Sequence, residues 1–177
     1  MKQLSRLGRS AQPKRIATLL TIAQLGYAHW FFGNLYEAVA RVPDRLARDS
    51  YAPGVEDRRL PSLFSPGSPV RYYLPGVPVV VGATLQALVS GWQSRKDRAW
   101  LSAAAACAIT GVVATAYLVR AVNSKLFVAG QALTQSEQDR LLRTWYRVNL
   151  VRLVAAGGAW LSAERVASRH AHRPLNG

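Results

Sequence analysis

Long apolar runs alternate with short charged segments along the 177 residues. Residues 16–36, 74–92 and 99–119 contain no Asp, Glu, Lys or Arg, and Trp145 to Ala163 is interrupted only by Arg147 and Arg152. Each run has about the 20 residues an α-helix needs to cross a ~30 Å hydrocarbon layer. The pattern predicts an all-α fold, an integral membrane four-helix bundle forming a single membrane domain over 1–177. Its helices fall at about 16–42, 74–92, 99–121 and 135–167, with one long extramembrane loop, 43–73, between the first two. Pro43 marks the exit from the first helix, and Pro53, Gly54, Pro61, Pro66, Gly67 and Pro69 argue against a strand in the loop, though not against a short helical turn. Pro75 and Pro78 sit in the first turns of the second helix, where proline is tolerated. Thr134-Gln135-Ser136-Glu137 matches a capping box and predicts the start of the fourth.

Composition sharpens this picture through its segregation. Mean hydropathy over the chain is close to zero, yet nearly all of the charge lies outside the four runs. The third helix is rich in small residues, from Ala103 to Ala106 and on through Ala108, Gly111, Ala114 and Ala116, which permit close helix–helix approach. Trp30, Trp92, Trp100, Trp145, Tyr72 and Tyr73 fall mostly near the predicted span ends, as an interfacial belt does. Cys107 is the single cysteine, so no intramolecular disulfide can form.

The net charge of +14 raises nucleic-acid binding as an alternative. The Lys and Arg flank the apolar runs without forming one basic face, and no zinc-finger or RNA-binding signature is present, so nucleic acid is not the expected partner. Contact with the lipid bilayer is. An even number of spans puts both termini on the side of the tight 93–98 turn. That side carries eleven Lys/Arg in short segments against two acids; the other also carries eleven, spread over longer loops with seven acids. Density favours cytoplasmic termini in a multi-pass protein of the plasma membrane. Ala38-Val39-Ala40 resembles a signal-peptidase site, but the uncharged run of 21 residues exceeds the usual apolar core of a signal peptide, and the first helix is expected to be retained.

Polar residues then cluster at one depth. In Phe31 to Val39, FFGNLYEAV, Asn34 and Glu37 lie three residues apart at the outer end of the first helix. Arg120 and Asn123 fall at the outer end of the third helix. Trp145, Asn149 and Arg152 share a face of the fourth, and Arg71, Tyr72 and Tyr73 precede the second. Charged groups at such depth usually face a bundle interior or cavity, so a polar pocket opening toward the outer leaflet is expected. In it Glu37 and Arg152 form a coupled pair and are the candidate catalytic residues. Asn34, Asn123, Trp145, Asn149, Arg120 and His29 are candidate ligand contacts. Each has a plainer alternative: headgroup pairing for Glu37, snorkelling for Arg152, interhelical hydrogen bonding for the three Asn, and neutral packing for His29. His170 and His172 read as a solvated tail. No set of His, Cys and carboxylates converges to hold a metal, and no glycine-rich phosphate loop or nucleophile elbow occurs, so neither a metal nor a cofactor is expected.

Phe31 and Phe32 with Pro43, the sequence Val122 to Leu126 (VN-x2-L), and Trp145 to Arg152 (W-x3-N-x2-R) together resemble the anthrone oxygenase family of small four-helix membrane proteins. FFGNLYEAV is similar to an uncharacterised bacterial subgroup, which implies a bacterial inner membrane. Members with an assigned role oxidise an aromatic polyketide anthrone to its quinone without a recognised metal or flavin. By that resemblance Asn123, Asn149 and Arg152 occupy the family's polar positions. The chain departs from it at Leu150, where many members carry a His.

Three functions are therefore open. The first is a membrane protein without catalysis, binding a lipophilic small molecule in its polar pocket. The second is a cofactor-independent oxygenase acting on an aromatic polyketide-like substrate, with Glu37 as base and Arg152 and the Asn residues holding an enolate oxygen. The third is a small transporter, against which stands the lack of an inverted repeat. A homo-oligomer is compatible with all three.

Overall fold

The computed structural model describes residues 2–50, 76–128 and 133–171, and is all-α. The helices are α1 (Lys2–Val39), α2 (Val42–Ser50), α3 (Gly76–Gly91), α4 (Arg95–Tyr117, continuing as a π-helix over Leu118–Val128) and α5 (Gln135–Ala171). Most of the 43–73 loop, with Arg71, Tyr72 and Tyr73, lies outside the described residues, but its first part is the helix α2. Helix α1 begins at Lys2, well before residue 16.

Helices α1, α3, α4 and α5 run alternately up and down. Each packs against its two sequence or ring neighbours, α1 on α3, α3 on α4, α4 on α5 and α5 back on α1. The small residues decide how closely they approach. A β-carbon on Gly26 would lie 2.0 Å from Val80 Cγ2, so α1 and α3 meet where only glycine fits. One core cluster, at the end holding the 93–98 turn, joins Leu20, Ala23 and Tyr27 to Val80, Ala87, Leu101, Ala159 and Val166. A second, at the opposite end, joins Leu118, Val122, Leu126 and Trp145 to Ala47 of α2.

The helix ends follow local chemistry. Ser94 caps α4, its hydroxyl accepting from the Asp97 N–H at 3.3 Å. At α5 the capping box is reciprocal: Thr134 N–H donates to Glu137 Oε2 at 2.9 Å, and Glu137 N–H donates to Thr134 Oγ1 at 3.3 Å. Thr134 lowers the carboxyl pKa of solvent-exposed Glu137, its backbone N–H contributing most. Between α1 and α2, Arg41 takes a left-handed backbone (φ 49°), the turn that usually ends a helix on glycine. Pro43 then starts α2 at a position suited to its missing N–H.

Alanine makes up about half of the buried apolar residues, while many large apolar side chains point outward: Leu25, Val39, Val89, Val154 and Leu161 are all more than two-thirds exposed. Among the described residues one helix, Arg95–Phe127, is long and apolar enough to cross a membrane. Gly76–Gly91 is apolar but shorter. The mean hydropathy of α1 and α5 is reduced by Gln24 and His29 in the first and by Arg147, Asn149 and Arg152 in the second.

Candidate functional site

A cavity of about 280 Å³ lies between the two core clusters. Its floor and walls are apolar or small: Tyr27 and Trp30 of α1, Val77 of α3, Cys107, Ala108, Gly111 and Thr115 of α4, and Ala155 and Ala156 of α5. Polar groups gather at its outer end, where Asn34, Arg120 and Arg152 reach the lining. Arg120 is exposed and marks the mouth, while Arg152 is largely buried.

Behind this lining, a polar network ties α1 to α5. Arg152 Nη1 lies 3.8 Å from Glu37 Oε2 and donates to Asn149 Oδ1 at 3.2 Å. Asn149, 1% exposed, donates from Nδ2 to the backbone carbonyl of Asn34 at 3.0 Å. Glu37 and Asn34 are buried as well. The i, i+3 spacing in both helices brings the four groups to one level. Asn34 Oδ1 is buried without a hydrogen-bond partner among the described residues, as is Asn123 Oδ1. A buried, unsatisfied amide oxygen costs about 1–3 kcal/mol, and Asn34 carries that cost at the cavity wall.

The structure separates the other candidates. Glu37 is not in the cavity lining; Arg152 is the member of that pair that reaches it. Trp145 packs in the outer core cluster and is also outside the lining. Asn123 sits on the π-helical segment, half-buried and outside the lining. His29 is on the exposed face of α1. Leu150 is 61% exposed and points away from the cavity, so the residue type at that position does not alter its lining.

Other polar contacts were not visible in the sequence. Tyr27 and Thr84 share a buried hydrogen bond between their hydroxyls below the cavity. The Tyr146 hydroxyl donates to Asp44, fastening α2 to α5. At the opposite end of the bundle Asp97, 7% exposed at its side chain, has Arg169 Nη1 at 3.6 Å and His170 Nε2 at 3.3 Å. The His170 nitrogen is too poorly aligned to count as a directed hydrogen bond. His170 thus packs on α4 instead of lying in a solvated tail, because α5 continues to Ala171; His172 is outside the described residues. Among the described residues no three His, Cys, Asp or Glu side chains cluster as a metal site would need.

These features define an all-α protein with an apolar cavity whose polar end is held by an arginine–carboxylate–asparagine network. A family model for anthrone oxygenase matches residues 70–162, just over half of the chain, and the chain belongs to that family. No curated protein and no solved structure matches it.

Proposed function

We propose that the protein is a multi-pass membrane bundle whose cavity binds a lipophilic small molecule near the outer leaflet, with both termini in the cytoplasm. The carrying observation is the apolar cavity with Asn34, Arg120 and Arg152 at one end. Pockets that are mostly apolar with a few convergent polar groups are the usual form of a small-molecule site. The outward-facing Leu, Val and Ile side chains, set around an alanine-rich interior, support the membrane reading. In the site, Arg152 and Arg120 supply donors to a ligand oxygen, Asn34 lines the wall beside them, and Glu37 balances Arg152 within the protein.

Family membership favours a second reading, a cofactor-independent oxygenase for an aromatic polyketide-like substrate. An enolate oxygen against Arg152 and Arg120 would be stabilised by fixed charge in a water-poor setting. Glu37, the base in this scheme, reaches the cavity only around Arg152, and that geometry ranks the reading second.

The test uses Gly111, where a β-carbon would meet only Ala155 Cβ at 3.8 Å. Gly111→Ala should fold and bind like the parent, while Gly111→Leu should fill the cavity. Binding of a hydrophobic fluorescent phenol to the detergent-solubilised protein is expected to be lost in Gly111→Leu and weakened in Arg120→Gln. Unchanged binding in a folded Gly111→Leu protein would place the ligand elsewhere. Oxygen uptake with an anthrone separates the oxygenase reading from simple binding.

A further inference from the structure

Two arginine stripes meet at the outer end of the bundle. Arg45 and Arg48, spaced by three, lie on the exposed side of α2, whose other side buries Pro43 and Ala47, and Arg41 is exposed in the turn just before it. Arg140, Arg143 and Arg147, spaced by three and four, form an exposed stripe on the first turns of α5. The Tyr146–Asp44 hydrogen bond holds the two helices together, so the stripes are parts of one surface. Arg120 and Lys125 extend it onto α4.

The acids with described side chains at this end are fewer than the basic residues. Asp44, Glu137 and Asp139 accept from the neutral donors Tyr146, Thr134 and Gln135, and Glu37 is buried beside Arg152. Immediately below the arginines comes an exposed apolar band with Tyr36 and Val39 on α1, Tyr117 on α4, and Leu150 and Val151 on α5. Tyrosines above an apolar belt and below a basic collar mark the level where acyl chains give way to headgroups.

We infer that this collar is a binding surface for anionic phospholipid, with the arginines of α2 and α5 gripping phosphodiester headgroups through bidentate donors. The inference rests on the membrane reading above. Its partner is defined by charge complementarity: exposed arginines directly above an apolar belt fit a negatively charged lipid headgroup in the leaflet at that end. Helix α2 then lies along the interface, apolar side to the bundle and basic side to the lipid phosphates. The bound lipid would sit over the elements that border the cavity mouth at Arg120.

The test is thermal melting of the full chain in nonionic detergent with added phosphatidylglycerol, phosphatidylcholine or inorganic phosphate. Phosphatidylglycerol should raise the melting temperature more than phosphatidylcholine, with the difference shrinking as ionic strength rises. The half-saturating phosphatidylglycerol concentration should increase about fivefold for each arginine changed to glutamine, from about 1 kcal/mol per cation. The variants are Arg45→Gln with Arg48→Gln, and Arg143→Gln with Arg147→Gln. Equal response to the two lipids, or no change in either variant, overturns the inference while leaving the membrane reading standing. An equal response to inorganic phosphate shows a free-anion site and also overturns it. If neither lipid stabilises the protein and it stays soluble without detergent, the membrane reading fails as well.

Discussion

The bundle buries an acid near each end, and the two are used differently. At the end holding α2, outer in the proposed topology, Glu37 lies within a helix, faces Arg152 and stands behind a cavity. At the end holding the 93–98 turn, inner in that topology, Asp97 lies in the first turn of α4, where it holds Arg169 and His170 of α5 against the helix start. Arg169 is 43% exposed at its side chain, whereas Arg152 is 12% exposed. The inner pair is a fastener between two helix ends in contact with water. The outer pair is enclosed, and its cation borders space that a ligand can enter. His170 beside Asp97 is only 9% exposed, so what separates the clasp from the candidate site is the exposure of the arginine, together with the cavity that only Arg152 borders.

The strongest challenge to this contrast is a double-mutant cycle on Glu37 and Arg152. Glu37→Gln or Arg152→Gln alone should cost about 3–5 kcal/mol, since each leaves the other charge buried and uncompensated. The double variant should lose less than the sum, as measured by thermal unfolding in detergent. Strict additivity would mean that the pair is not coupled and would remove the outer half of the comparison.

Asp97→Asn should be milder, about 1 kcal/mol, because Arg169 is half in solvent. Raising ionic strength should shrink the difference between Asp97→Asn and the parent, yet leave the Glu37 and Arg152 effects nearly unchanged. An equally salt-sensitive outer pair would show that water reaches it. Relief of the left-handed backbone at Arg41 supplies an effect of similar size and opposite sign. Arg41→Gly should stabilise the α1–α2 turn by about 1 kcal/mol, seen as slower amide exchange in α2.

The smallest effect concerns the capping box of α5. Thr134, through its N–H and hydroxyl, depresses the Glu137 pKa. A depressed carboxyl stabilises the fold above its unfolded pKa, and this is lost as pH falls through the lower, folded value. The protection factor of the amides at the start of α5, corrected for intrinsic exchange, should therefore fall on acidification in the parent and stay flat in Glu137→Gln. A parallel fall in both would assign the acid sensitivity to another group.

Much of the fold was legible because charge and hydropathy were so sharply segregated. The runs around residues 16–36, 74–92 and 99–119 became helices, and Thr134 to Glu137 formed the cap that its spacing predicts. The meeting of Asn34, Glu37, Asn149 and Arg152 could be anticipated from depth, since i, i+3 and i+4 spacing fixes which groups share a face. Depth alone did not give rotation about the helix axis, so His29 and Trp145 were grouped with residues they do not join at the cavity. Asn123 also lies outside the lining, within the stretch where the α4 backbone is π-helical and its faces turn at a different rate. The clasp of Asp97 with Arg169 and His170 was hidden because it depends on how far α5 extends past its apolar stretch.

The π-helical segment from Leu118 to Val128 has a consequence for how this chain can vary. Its backbone closes i→i+5 instead of i→i+4, so each turn holds slightly more residues than an α-turn. A one-residue deletion within Arg95–Tyr117 would turn everything beyond it by ~100°, swinging Arg120 off the cavity border and Val122 and Leu126 out of the outer core. The same deletion inside the wide segment can be taken up by tightening one of its turns to α geometry, which leaves the faces beyond it where they are. This wall therefore carries slack in length at one place only among its described residues, and changes of chain length in α4 are tolerated there or nowhere.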